Sequence, residues 1–290
     1  MKIVTRKSNY LRPQSNIANL AMLLSIGYFI VPIVWVFVNS TKSNEQLFNT
    51  FSLWFPDKWN LTSNLSALFT QDNSVFLTWA RNTVLYSITS AVGSTLICAM
   101  GGYALARFSF KGKIFVEAST LSMVMVPATV LVMPLYLMFS KLNLVNTVWA
   151  VILPSLLSPF GVFLVKVFIE SSIPDEILQS ARIDRAGEFR IFWQIVLPML
   201  RPALVTVFLF SLVSSWNNYF LPLVMLSEQK YYPLTVGLTA WFEQASQEGG
   251  NSILFNLVIA GSLVAIIPLI ISFIFLQRYW QGGLTAGSVK

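Results

Sequence analysis

The residues best equipped to recognise a ligand stand four in a row: Trp216, Asn217, Asn218 and Tyr219. Side-chain amides hydrogen-bond hydroxyls, and aromatic faces stack on the C–H surfaces of sugar rings. The run therefore has the chemistry for a neutral polyhydroxylated solute, with hydrogen bonding between neighbouring membrane helices as the alternative use of its amides. A second run, Gln179 to Gly187, sets the small residues Ser180 and Ala181 beside Arg182, Asp184 and Arg185. Small side chains let another protein approach closely, and the charges give it something to pair with. Much chemistry is excluded. The chain has no His, so no imidazole metal site, proton relay or Ser-His triad is available. Cys98 is the only cysteine, so no disulfide closes within the chain. No phosphate-binding loop is present either: the nearest Gly-Lys pair, Gly112 and Lys113, has Arg107 where the first glycine belongs. Neither a metal nor a cofactor is expected here, nor an enzyme activity. If ATP is used, another chain binds it.

The elements that must hold these residues are legible in where charge is missing. Of 290 residues only 11% are charged and 55% are hydrophobic, with a net charge of +7. Six stretches carry no charge at all, 13–41, 82–106, 118–140, 142–165, 202–227 and 249–277. A bilayer core needs about 20 apolar residues per helix, and these six are the stretches that reach it. None alternates like a barrel strand, so all are expected as helices, near 17–39, 82–106, 115–140, 146–169, 199–226 and 252–277. No small-residue cleavage site follows the first, so it reads as a retained helix. The cations sit between apolar spans and form no basic face, which rules out nucleic acid as a partner. Assigned to sides, 14 Lys and Arg fall in the N-terminus, 107–113, 166–201 and the C-terminus, against five on the other side. By the excess of cations inside, both termini are expected in the cytoplasm.

Two connections are longer than turns. Segment 40–81 is external and rich in aromatics, suited to the membrane surface or to a docking partner. Segment 170–198 is cytoplasmic and helical: Ser172 to Asp175 has capping-box spacing, Gly187 breaks a first helix, and Phe189–Val196 starts a second that ends at Pro198. It is either a docking element or an amphipathic helix on the lipid surface. The spans are expected to contain no ionisable residue, which disfavours a charge-coupled pump and favours a neutral solute. Pro127, Pro134, Pro154, Pro159, Pro222 and Pro268 are expected to kink or interrupt spans.

Residues 179–185 (QSARIDR), followed after nine residues by 195–198 (IVLP), resemble the E-A-A-x-x-x-G loop of ABC-importer permeases. Spacing agrees throughout, but Gln179 and Ser180 replace Glu and Ala, and Arg185 replaces the glycine, so that the turn is expected two positions later at Gly187. The likeness extends to 102–108 (GYALARF), 134–142 (PLYLMFSKL), Asn146-Thr147, 215–218 (SWNN), 232–238 (YPLTVGL) and 283–290 (GLTAGSVK). Together these are similar to the smaller permease subunit of maltose-type, MalG-like carbohydrate importers.

The resemblance implies an all-α integral membrane protein of the type I ABC importer permease class. It would have six transmembrane helices and a cytoplasmic coupling helix between the fourth and fifth. Residues 1–290 form one permease domain: N-terminus 1–16, external segment 40–81, core 82–280 with coupling segment 174–198, and tail 281–290. Implied partners are a second homologous permease, two cytosolic ATPases that bind ATP and Mg, an extracytoplasmic solute-binding protein and the lipid of a bacterial inner membrane. The chain would pass a sugar or oligosaccharide, or alternatively a polyol or glycerol-phosphate-like solute. Gln179, Ser180, Ala181, Arg182, Asp184, Arg185 and Gly187 would meet the ATPase, and so would a flexible tail through Gly283, Gly287 and Lys290. Loop 227–251 would approach the binding protein or form an interfacial belt.

Overall fold

The computed structural model describes residues 16–248 and 252–285, and every regular element among them is helical. Helix α1 (Asn16–Ser40) is apolar on all sides and exposes nearly all of them, as a helix facing lipid does. A short helix, α2 (Asn44–Asn49), is closed by a capping box between Ser43 and Gln46. Helix α3 (Leu61–Arg107) bends where Asp72, Asn73 and Ser74 take left-handed dihedrals. Short polar side chains bear that conformation at least cost. The segment expected as an external loop is therefore largely helical, and the second apolar helix starts at Val75, ahead of the expected residue 82.

The third expected span divides into α4 (Lys113–Val124) and α5 (Val132–Lys141), which meet at 103°. Pro127, with no N–H to continue the ladder, sits at the break and opens a 3-10 turn. Helices α6 (Trp149–Ser155) and α7 (Pro159–Ser172) follow as one apolar stretch, with Ser158 accepting a 3.1 Å hydrogen bond from the Gly161 amide. Next come α8 (Asp175–Ile183), α9 (Glu188–Ile191), a π-helical turn at Phe192–Val196, and α10 (Leu197–Met199). At Leu200 the chain bends by 79° into α11 (Arg201–Trp216). Helices α12 (Phe220–Met225), α13 (Leu234–Glu248) and α14 (Leu254–Thr285) complete the order. Among the described residues, four helical stretches are long and apolar enough to cross a membrane, or up to six if each bent pair is one span.

The centre is built on close backbone approach. Small residues of α3 meet α7 and α11: a Cβ on Gly161 would fall 2.7 Å from the Cys98 sulfur, and one on Gly102 2.6 Å from Val165. Membrane helices associate through such small-residue contacts, because burying apolar surface gains little against lipid. Two expectations need correcting. Pro268 lies inside continuous α14 and interrupts nothing, whereas α6 ends at Ser155, one residue after Pro154. Ionisable residues do enter the apolar stretches: Lys166 on α7 pairs with Glu117 on α4 at 3.2 Å and with Glu170 at 3.5 Å. They were missed because charge-free runs end at a charge, whereas a helix continues past one whose partner lies on a neighbour. Most polar side chains in the spans serve the fold. Asn82 donates to the Lys230 and Tyr232 carbonyls, and Asn256 and Asn64 both donate to the carbonyl of buried Lys42.

Candidate functional site

The segment between α7 and α11 is a lever joined to the core. Leu178, Ala181, Ile191, Phe192 and Val196 are buried in one cluster with Cys98, Tyr103, Val165 and Val207. Its opposite face projects outward, with Ile183 81% and Phe189 78% exposed. Gln179, Ser180, Arg182, Asp184, Arg185 and Gly187 are exposed as well. Ala181 is the exception: at 8% exposed it packs into this chain's own core, so its small size serves internal packing.

Three local expectations are corrected. Ser172 still belongs to α7 and caps nothing; Pro174 stands at the N-cap of α8 without a side-chain bond. The left-handed residue that ends α8 is Arg185 itself, with φ +58°, while Gly187 has φ −67° and opens α9. The Ala186 amide bonds the Ala181 carbonyl and the Arg185 amide the Arg182 carbonyl, both at 3.0 Å, the paired pattern of a Schellman cap. The turn is thus not displaced; arginine occupies the conformation that glycine would adopt freely. Nor does Pro198 end the second helix: the π turn before it absorbs the missing N–H, and the bend falls at Leu200.

Four residues that sequence reasoning did not select fasten this lever. Arg107, at the end of α3, pairs with Asp175 at the start of α8 and donates to the Ile169 and Ile173 carbonyls. Tyr103, one turn earlier, donates to Glu188 at 2.9 Å, and Glu188 accepts from Arg182 at 2.7 Å. The Glu188 carboxylate holds the Arg182 guanidinium above its ordinary value. Arg182, expected as a contact for another chain, is exposed and also makes an internal pair through its Nε. Arg107 and Tyr103 lay within a noticed motif, but the pairing is invisible in sequence, since the partners are 68 and 85 residues apart. Ile183 and Phe189 were also overlooked as an exposed apolar pair.

Residues 216–219 lie where α11 ends and before α12 begins, since α11 stops at Trp216. Trp216, Asn217 and Tyr219 line a cleft of about 440 Å³ together with residues of α13 and α14. Asn218 is not among the lining residues; its carbonyl accepts from Thr235 at 2.8 Å and fixes α13 to this turn. Asn146 accepts from the Ser227 and Glu228 amides and donates to Glu228, whose carboxyl is held below the usual carboxylate range by hydrogen bonds from Lys230 first and Asn146 second. Of the tail residues, Gly283 lies within α14, which runs on to Thr285, so the backbone expected to be flexible there is helical. Gly287 and Lys290 lie outside the described residues, as do residues 1–15.

Residues 96–284 match the family described as binding-protein-dependent transport system inner membrane component. The chain is 36% identical over 278 residues to the arabinooligosaccharides transport system permease protein AraQ of Halalkalibacterium halodurans, covering 93% of this chain and 97% of that protein. It is 35% identical over 211 residues to the melibiose/raffinose/stachyose import permease protein MelC of Bacillus subtilis, covering 72% and 74%. A chain in the crystal structure of a bacterial ABC transporter that imports the acidic polysaccharide alginate superposes with a TM-score of 0.77 at 24% identity, over 91% of this chain and 96% of that one.

Proposed function

The chain belongs to the binding-protein-dependent transport system inner membrane component family of ABC transporter permeases, and from that membership we propose that it passes a neutral sugar or oligosaccharide across a bacterial inner membrane. The solute class is supported by the sugar-named relatives and by the uncharged, aromatic-edged cleft at Trp216, Asn217 and Tyr219. In this reading the two bent helix pairs each complete one span, giving six in a single domain with both termini cytoplasmic, as the excess of inside cations favours. Partners are a second permease, two ATPases that supply ATP and Mg, and a solute-binding protein on the outer face.

One observation carries the mechanism: segment 175–199 is packed into the same core as α3, α7 and α11 while its far face carries exposed Ile183 and Phe189. A partner that seats on that face moves the helices lining the membrane path, because the core between them cannot deform independently. Gln179, Ser180, Asp184, Arg185 and Gly187 surround the apolar pair and complete the docking surface. Gly283, Gly287 and Lys290 add a second contact to the ATPase in this reading. Small exposed Ser180 lets the partner approach closely, and Arg190 supplies a charge for a carboxylate across the interface. The test is reconstitution with the partner subunits in liposomes, followed by ATP-dependent uptake of neutral oligosaccharides. Uptake that requires both ATP and the binding protein supports the reading; ATP-independent uptake, or uptake of charged solutes alone, refutes it.

A further inference from the structure

We propose that residues 50–59, between α2 and α3, form a rigid aromatic platform that rests in the lipid headgroup region beside the end of α1. The membrane surface then fixes the depth of this subunit. From the reading above the proposal takes only that α1 crosses the bilayer. Phe51 and Trp54 are each 71% exposed, and Phe55 and Trp59 are exposed beside them. The rings form one assembly. Phe55 stacks on Trp59 with 5.2 Å between centroids, and meets Trp54 edge-on at 6.4 Å and Phe37 of α1 at 6.2 Å. Through Phe37 the platform continues the apolar surface that α1 exposes along its length.

The backbone beneath the rings is tied down. The buried Lys42 ammonium donates to the Phe51 carbonyl at 2.8 Å, and the Asn39 side chain donates to the Ser52 carbonyl at 2.8 Å. At the far end, the Asn60 amide donates to the Thr41 carbonyl at 2.8 Å. All of these bonds run to residues 39–42 at the end of α1, which are themselves buried. The rings cannot fold inward without breaking them, so the apolar face is presented at all times. That favours an occupant that is always there. A binding protein that comes and goes would leave Phe51 and Trp54 in water between encounters. Lipid meets the requirement, and Trp beside the end of a lipid-facing helix suits the interface, its ring among the upper acyl chains and its N–H turned to headgroup oxygens. The charged residues of the segment, Asp57 and Lys58, are exposed and can stay in the headgroup layer. Because Asn64 of α3 and Asn256 of α14 both donate to the Lys42 carbonyl, the level of the platform is passed to those two helices.

The experiment reads depth by fluorescence quenching, with the full complex in vesicles of phosphatidylethanolamine and phosphatidylglycerol. Cys98 is buried, so a thiol-reactive bimane goes to single cysteines introduced as Trp54→Cys, Trp59→Cys and Tyr28→Cys, the last halfway along α1. Labels at 54 and 59 should be quenched most by phospholipid brominated near the headgroup end of its chains, and little by aqueous iodide. The label at 28 should be quenched most by phospholipid brominated near the chain ends. Adding Phe51→Asp and Trp54→Asp to Trp59→Cys should lift the platform into water, so that iodide quenching at 59 rises severalfold. Iodide quenching at 54 without lipid quenching overturns the proposal. So does protection of 54 from both quenchers, which would mean that the second permease or the binding protein covers the rings. Lipid quenching at 28 with iodide quenching at 54 refutes the platform alone, whereas iodide quenching at 28 refutes the spanning of α1 and the platform with it.

Discussion

Substituting Tyr103 with Phe removes one oxygen and leaves the rest of the lever's attachment in place. The ring still packs against Phe108 and Phe192, each 5.5 Å away between centroids, so no cavity opens. What is lost is the 2.9 Å hydrogen bond to Glu188. A hydrogen bond to a charged group contributes about 1.5–3 kcal/mol when buried. Glu188 is 41% exposed and keeps its pairing with Arg182, so solvent screening reduces the loss to about 1 kcal/mol. That is about a fivefold change in the equilibrium between a lever held to α3 and one released from it. The substitution acts on transmission and not on docking, because neither Tyr103 nor its hydroxyl lies on the exposed face. In liposomes carrying the full complex, ATP hydrolysis should continue while the solute moved per ATP falls severalfold. Glu188→Gln, which also leaves Arg182 without its ion pair, should lower the ratio further. An unchanged ratio in both variants, with normal amounts of complex, would refute the claim that this pair of contacts transmits motion.

Other expectations follow from the same contacts. Arg185→Gly removes a left-handed penalty of about 1–2 kcal/mol and adds unfolded-state freedom worth about half of it, so α8 should gain about 0.5–1 kcal/mol and its amides should exchange more slowly. Gly102→Ala places a methyl group 2.6 Å from Val165 and 3.0 Å from the Lys166 backbone nitrogen, which should destabilise the α3–α7 contact by about 1–3 kcal/mol and lower the melting temperature of the purified protein. Because Glu228 is held below the usual carboxylate range, its contribution to the loop after α12 is present above that range and is lost as the pH falls through the folded value. Protection of the Ser227 and Glu228 amides, taken relative to intrinsic exchange at each pH, should therefore fall as Glu228 is protonated, and in Glu228→Gln that pH dependence should disappear.

The order of apolar helices was legible because a bilayer leaves a signature that needs no tertiary information: long runs free of charge. The breaks inside those runs were not. Pro127 follows the end of α4 and Pro154 stands one residue before the end of α6, whereas Pro268 lies inside α14 without a break, although all three stand in apolar sequence. The helical segment between α7 and α11 was legible through its spacing, and six of the seven residues selected there are exposed. The seventh, Ala181, shows the limit, since helical period identifies a small apolar face but not which body it meets. The Arg107–Asp175 and Tyr103–Glu188–Arg182 contacts have no periodic trace, as each joins elements far apart in the chain. Gln179, Ser180 and Arg185 depart from the usual pattern of the loop, yet the Schellman cap at Arg185 retains its geometry.

The central claim is that the exposed face of 175–199 is where an ATPase drives the membrane helices. It is tested most directly by Ser180→Trp and Ile183→Asp, two exposed positions outside the chain's own core, assayed for ATP-dependent uptake and for ATPase retained on the purified permease. The account predicts that both variants insert at normal levels, retain little ATPase and transport nothing. Normal uptake with the ATPase still bound would contradict it.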